Sequence, residues 1–135
     1  MEELYYLMRK LYLKKIPILP RLLMIIIRVV FGSFVPPETS IGKNINFGHK
    51  MGIVISRHAR IGDNVIIRHQ VTIGSGRAII GNDVDIGSGA KIIGNLSIGD
   101  RSIIGANAVV TKEIPCDVVV AGVPANIIKT LRDNE

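Results

Sequence analysis

The sequence predicts an all-β solenoid, a parallel β-helix wound from six-residue repeats. Three observations carry this. Branched aliphatics recur at Ile55, Ile61, Ile67 and Ile73, then at Ile80, Ile86, Ile92, Ile98, Ile104 and Val110; every step is six residues except the seven from Ile73 to Ile80. Gly follows directly at positions 62, 74, 81, 87, 99 and 105. The fourth residue after each aliphatic is often small or β-branched: Ala59, Val65, Val71, Val84, Ala90, Ser102 and Ala108. A fixed short period is the signature of a repeat fold.

Six residues are too few for a helical repeat and too regular for ordinary hairpins. A short strand, a tight turn and one inward aliphatic fit the period. Three such units close one triangular coil, so residues about 18 apart stack along an axis, with neighbouring coils paired as parallel strands roughly 4.8 Å apart. The Ile/Val column fills a narrow core. Gly62, Asn64, Gly81, Asn82 and Gly99 suit corners that need positive φ or close backbone approach.

Composition agrees. The chain has 135 residues, which suggests one domain. Aromatics make up 4% and Trp is absent, so the core rests on stacked aliphatics. Seventeen basic residues against eleven acidic give a net charge of +6, which favours an anionic partner. Nucleic acid is excluded as the favoured partner because no stacking aromatics are interleaved with the basic residues. Cys116 is the single cysteine, so no intrachain disulfide forms and a reducing compartment is expected. It sits in a Pro-flanked turn without an adjacent base and is a poor nucleophile candidate.

Residues 1–34 read as a helical segment. Leu4, Leu7, Met8, Leu11 and Tyr12 recur at helical spacing, which predicts an amphipathic helix over 1–15. Pro17 and Pro20 interrupt it. Leu22–Phe31 is a second apolar stretch broken only by Arg28, far shorter than the roughly 20 residues that span a bilayer. No small-residue cleavage site follows, so a signal peptide is not expected. Packing on the coil or on a neighbouring subunit is the first expectation for these helices. Peripheral membrane contact is the alternative, which the local net charge of +4 favours. The expected location is cytoplasmic, at the inner face of a membrane if that contact is made.

The coil is expected over 35–115. Ile41 and Phe47 start it, and then Phe47 to Ile55 takes eight residues instead of six. The extra residues fall in Gly48-His49-Lys50-Met51-Gly52, a turn with glycines around a histidine. The second slip falls at Ser75-Gly76-Arg77. Irregularities in a strict repeat are where function is inserted. Discounting the two-residue slip, His49 and His69 hold the same place one coil apart, so His69 is a candidate to orient His49 or touch an acceptor. His58 holds a different place and reads as surface. Residues 116–135 carry Ala121-Gly122-Val123-Pro124-Ala125 and a tail with Lys129 and Arg132 that is expected to be helical.

From Gly48 to Lys129 the chain resembles the hexapeptide-repeat acyltransferases, above all the serine acetyltransferase branch and its sugar O-acetyltransferase relatives. The matching pieces are Gly48-His49-Lys50-Met51-Gly52-Ile53-Val54-Ile55, Val71-Thr72-Ile73-Gly74, Ile86-Gly87-Ser88-Gly89-Ala90-Lys91-Ile92-Ile93-Gly94, Ile104-Gly105-Ala106-Asn107-Ala108-Val109-Val110, and Ala121-Gly122-Val123-Pro124-Ala125. The resemblance implies a left-handed coil and a homotrimer whose grooves between subunits bind acetyl-CoA. It implies His49 as the general base for direct transfer to a hydroxyl, with neither metal nor acyl-enzyme. Gly87, Gly89, Ala90, Gly105 and Ala106 would line the groove for the pantetheine arm. Ala121, Gly122 and Pro124 would cover the nucleotide end. Lys112, Lys129 and Arg132 are phosphate candidates by charge and place.

Two departures bear on the acceptor. In the serine-specific members an Asp fifteen residues before the catalytic His orients it; here that position is Phe34. Those members also carry an Arg-His pair in the loop after the Val-Thr-Ile-Gly match; here Gly74-Ser75-Gly76-Arg77-Ala78 keeps only Arg77, a substrate-binding candidate. The sequence as given also lacks their large N-terminal helical domain. These departures favour a sugar hydroxyl, as in surface polysaccharide biosynthesis, over L-serine. Two rival readings stand beside this one: a zinc enzyme using His49, His58 and His69, whose spacings of nine and eleven do not fit the zinc-dependent members of this fold, and a non-catalytic trimeric scaffold.

Overall fold

The computed structural model describes residues 1–74 and 76–131. Two helices, α1 (Glu2–Leu13) and α2 (Leu19–Phe31), precede a ladder of two-residue strands. In chain order these are β1 (Ser40–Ile41), β2 (Asn46–Phe47), β3 (Val54–Ile55), β4 (Arg60–Ile61), β5 (Ile66–Ile67), β6 (Thr72–Ile73), β7 (Ile79–Ile80), β8 (Asp85–Ile86), β9 (Lys91–Ile92), β10 (Ser97–Ile98), β11 (Ile103–Ile104) and β12 (Val109–Val110). Longer strands β13 (Val118–Ala121) and β14 (Asn126–Thr130) close the chain.

Every third strand stacks. The first face is β1-β4-β7-β10, the second β2-β5-β8-β11-β13-β14 and the third β3-β6-β9-β12. All pairs are parallel except β13–β14, which is antiparallel. The expected left-handed parallel β-helix is therefore the fold. Along the second face the partners run Asn46–Ile66, Ile66–Asp85 and Asp85–Ile103, so the coil shortens from 20 to 19 to 18 residues. The two surplus residues of the first coil are those of the His49 turn, and the one of the second lies in the Arg77 loop.

The inward column is dry. Ile55, Ile67, Ile73, Ile86 and Val110 are fully buried, and so are Val65, Val71, Ala90, Ser102 and Ala108. Burying each of the Ile and Val side chains stabilises the fold by about 1.5–3 kcal/mol. Ser102 is tolerated because its hydroxyl donates to the Gly99 carbonyl at 2.7 Å.

The corner glycines serve close approach between coils. A Cβ on Gly62 would sit 2.8 Å from the Gly81 carbonyl group, and one on Gly99 would sit 2.4 Å from the Cys116 nitrogen. Positive φ falls on Asn64 and on Asp83, and Asn82 serves the close approach between coils, its Oδ1 lying 2.3 Å from where a Cβ on Gly62 would be. Its role is a ladder. Lys43 N–H donates to Asp63 Oδ1, Asp63 N–H to Asn82 Oδ1, Asn82 N–H to Asp100 Oδ1, and Asp100 N–H to Cys116 Sγ.

The helices close the N-terminal end of the solenoid. Tyr5 and Met8 are fully buried. Tyr5 donates to the Thr39 carbonyl, and burial pushes its hydroxyl up to about 12. Tyr6 donates to the Gly42 carbonyl, and Arg9 donates to the Pro37 carbonyl at 2.7 Å. The second helix begins at Leu19, three residues earlier than its sequence pattern suggests. Pro20 occupies its first turn, where a missing N–H costs nothing. No helix is long and apolar enough to cross a membrane, among the described residues.

The C-terminal end differs from expectation. Ile114 bridges Ile98, and β13 pairs with β11, so the ladder continues beyond Pro115. The tail expected to be helical is strand β14, with Val118 opposite Thr130 and Ala121 opposite Asn126. Its alternation was hidden because Ile127, Ile128 and Lys129 are all exposed. Arg132 lies outside the described residues.

Candidate functional site

The corners between the second and third faces stack into one edge, and that edge carries the predicted chemistry. Its first step is the turn from Gly48 to Gly52. His49 and Lys50 sit there at φ of 57° and 60°, and Gly52 at 68°. Non-Gly residues enter this region at a cost, and such strain persists where surrounding structure over-determines it. Here it does. Lys50 Nζ donates to both Glu2 carboxylate oxygens at 2.7 and 2.8 Å. The Ser33 hydroxyl donates to the Lys50 carbonyl and accepts from Ile53 N–H, both at 3.0 Å. Gln70 N–H donates to the Met51 carbonyl at 2.9 Å. Desolvation pushes the Glu2 carboxyl up, yet the Lys50 hydrogen bond, the backbone donors and the Lys50 charge together hold it below its ordinary value. Helix α1 thus pins the turn from which His49 projects.

One coil on, His69 stands over His49. Their ring centroids are 5.4 Å apart and the rings are edge to face at 78°. His49 is exposed and His69 half-buried. One coil further, Ser88 Oγ lies 3.3 Å from His69 Nδ1. The three side chains form a row: imidazole, imidazole, hydroxyl. The proximity of His49 and His69 was legible from their shared repeat position. Ser88 was singled out by nothing but its Gly-Ser-Gly setting, yet it lies nineteen residues after His69, which is the length of that coil.

The same edge continues through the residues expected to hold the pantetheine arm. Gly87 and Gly89 flank Ser88, but they depart from the expectation of groove-lining glycines: a Cβ on Gly87 would come within 2.6 Å of Ala106 N and one on Gly89 within 2.0 Å of Asn107 Oδ1, so both serve the close approach of the next coil. Gly105 and Ala106 follow in the next coil, with Ala106 exposed. Ala121 and Gly122 follow in the last, where Val109 N–H donates to the Gly122 carbonyl at 3.0 Å. Gly122 and Pro124 are exposed. Ala90 departs from the expectation of a groove-lining methyl. It is fully buried, because the fourth position of each repeat points into the coil. Lys112 and Lys129 are both exposed at the C-terminal end, and Lys112 Nζ donates to Asn126 Oδ1 at 3.3 Å.

Arg77 is elsewhere. It sits on the edge between the third and first faces, with its N–H donating to Asn95 Oδ1 at 2.7 Å. A cleft of about 600 Å³ opens there, lined by residues that include His58, Arg77, Asn95 and Glu113. Within one chain, Arg77 and His49 therefore occupy different edges, and His58 belongs with Arg77, apart from the His49–His69 pair. Phe34 forms a bridge with Val54 and accepts from Ile55 N–H at 2.9 Å. Among the described residues, no group of three or more His, Cys, Asp or Glu side chains is placed to hold a metal ion.

A three-faced parallel coil with this repeat defines a hexapeptide-repeat protein. Residues 77–112 match the bacterial transferase hexapeptide family model. The chain is 38% identical over 125 residues to a serine acetyltransferase of Synechococcus elongatus, covering 87% of this chain and 51% of that protein. It is 38% identical over 127 residues to the serine acetyltransferase of Staphylococcus xylosus, covering 89% and 59%. It superposes on the crystal structure of a Brucella abortus serine acetyltransferase in complex with coenzyme A with a TM-score of 0.90 at 34% identity, covering 95% of this chain and 54% of that one. The chain is built on the hexapeptide repeat and is similar, over most of its length, to the serine acetyltransferase branch of the hexapeptide-repeat transferases. It spans about half the length of the relatives it matches.

Proposed function

We propose that this chain is an acetyl-CoA-dependent O-acetyltransferase with His49 as its general base. The observation that supports this reading is the single edge on which His49, His69, Ser88, the small residues at 87, 89, 105 and 106, and Ala121-Gly122 follow one another. Beside them, a superposed relative is described as a coenzyme A complex.

The chemistry is a direct transfer. An alcohol is a poor nucleophile at neutral pH, and imidazole is a base suited to that range. His49 takes the hydroxyl proton as the oxygen attacks the thioester carbonyl. The C–S bond then breaks, and the imidazolium returns the proton to the departing thiolate. Such positioned proton transfer is worth about 10²–10⁴-fold. His69 acts as a positioning residue. Its ring packs edge-on against His49 and is itself oriented by Ser88, in the absence of the carboxylate that Phe34 replaces. The small side chain of Ala106, exposed on this edge, leaves it free of bulk for a narrow pantetheine arm, and Lys112 and Lys129 offer charge to the phosphates.

The acceptor is read first as L-serine, because the relatives carry that activity in their names. This moves the reading away from the sugar that the sequence favoured. A sugar hydroxyl is the second reading, and it rests on Phe34 and on the shortened loop that keeps Arg77 alone. A homotrimer completes the site. Threefold packing would set the His49 edge of one chain beside the Arg77 cleft of the next, joining residues that one chain holds apart.

The test is a thiol-release assay of the full chain with acetyl-CoA and, separately, L-serine and a panel of sugars. Turnover with L-serine, lost in His49→Ala, supports the first reading. Turnover with a sugar alone supports the second. Hydrolysis or no turnover with every acceptor, by an intact folded chain, rejects both.

A further inference from the structure

Helix α2 buries only one side. Pro20, Leu23 and Ile27 pack inward. Met24 and Phe31 are partly buried beside them, and the other apolar residues lie in solvent: Leu19, Leu22, Ile25, Ile26, Val29 and Val30 are 44–76% exposed, and Ile18 before them is 67% exposed. At 100° per residue these seven fall in one arc roughly 140° wide, next to the buried side. Arg21 and Arg28 fall together along one margin of that arc. The apolar surface continues into the turn before the helix, where Leu13 and Ile16 are also exposed. Lys14 and Lys15 stand exposed beside them.

Charge selects the occupant. Positions 4–37 contain six Lys and Arg and no Asp or Glu. The carboxylate that meets α2 is Glu38, which Arg21 engages; desolvation raises its pKa, and the Arg21 hydrogen bond, a backbone donor and nearby positive charge bring it below the ordinary value. A second copy of this face would set cation against cation over an apolar contact. An anionic bilayer meets both parts at once. The aliphatic arc enters the headgroup boundary, and the basic margin, with its long side chains, reaches the phosphates. The thirteen residues of α2 span about 20 Å, enough to lie in an interface and too few to cross one.

We infer that the exposed face of α2, with Lys14, Lys15 and Arg28 at its border, docks the protein onto an anionic lipid surface. The docked face belongs to the helical pair that pins the His49 turn through Glu2 and Lys50, so the candidate site sits at the membrane-facing end of the solenoid. The inference stands on the surface alone and is independent of which acceptor is used.

The test is cosedimentation of the full chain with vesicles of phosphatidylcholine, with and without phosphatidylglycerol. Binding is expected to be about 10²-fold tighter to the anionic vesicles and to weaken with added salt. Ile25→Ser with Val29→Ser should abolish it without changing the circular dichroism spectrum, since both side chains are already in solvent. Lys14→Glu with Arg28→Glu should remove the preference for anionic lipid. Equal affinity for neutral vesicles, or no binding at all, overturns the inference. So does a change of sedimentation coefficient in Ile25→Ser/Val29→Ser when the wild type binds no vesicle, because that assigns the face to contact between copies.

Discussion

Two edges of the same coil are built to opposite ends. On the edge between the first and second faces, polar side chains are spent on the backbone. Asp63, Asn82 and Asp100 each accept an N–H from the coil before. On the edge between the second and third faces, side chains at the same height point at one another or outward. His49 and His69 meet ring to ring, and Ser88 meets His69. One seam therefore ties coil to coil through its side chains, and another leaves its side chains to meet one another. The two-residue insertion after Phe47 is what makes the second seam different at its first step.

The contrast can be broken from the open edge first. His49→Ala should lower kcat by about 10²–10⁴-fold with little change in thermal stability, because the ring is exposed; steady-state thiol release and a melting curve check both halves. His69→Asn should cost about tenfold in kcat, or ~1.4 kcal/mol, while leaving KM for acetyl-CoA unchanged. A rise in KM alone would assign His69 to binding and not to positioning. Ser88→Ala should follow His69→Asn in direction with a smaller loss.

The sealed edge should answer in stability instead. Asn82→Ala removes the acceptor of the Asp63 N–H and should cost about 1 kcal/mol with kcat intact, read by chemical denaturation. Glu2→Gln tests the tie between the helical end and the open edge. The pair is partly exposed, so about 0.5 kcal/mol is expected. Its pH dependence has a fixed sign. The folded-state pKa of Glu2 is depressed, so its contribution is present above the unfolded value of 4.5 and is lost as pH falls through the folded value. Wild type should lose stability in that window, and the difference from Glu2→Gln should vanish there.

Much of this was legible in the sequence, for a physical reason. A six-residue period states strand, turn and inward residue at once, so Ile55 to Val110 gave the coil, and a shared repeat position gave the neighbours His49 and His69. What stayed hidden depends on partners far along the chain. Lys50 does not announce Glu2, nor does Ser33 announce the carbonyl of Lys50. Asn82 read as a corner residue, but its partner, Asp63, stayed hidden because it lies a coil away. Ala90 read as a groove residue because a small side chain fits a groove or a crowded core equally well. The tail read as a helix because β14 exposes the residues whose alternation would have marked it.

The reversal at the last rung has a consequence of its own. A stack of parallel rungs is an open-ended template, and its final strand offers a row of unpaired donors and acceptors to any passing copy. By doubling back, β14 occupies that row on the second face, and the helical pair covers the opposite end. The parallel template therefore stops on that face at β13, where the chain turns back on itself.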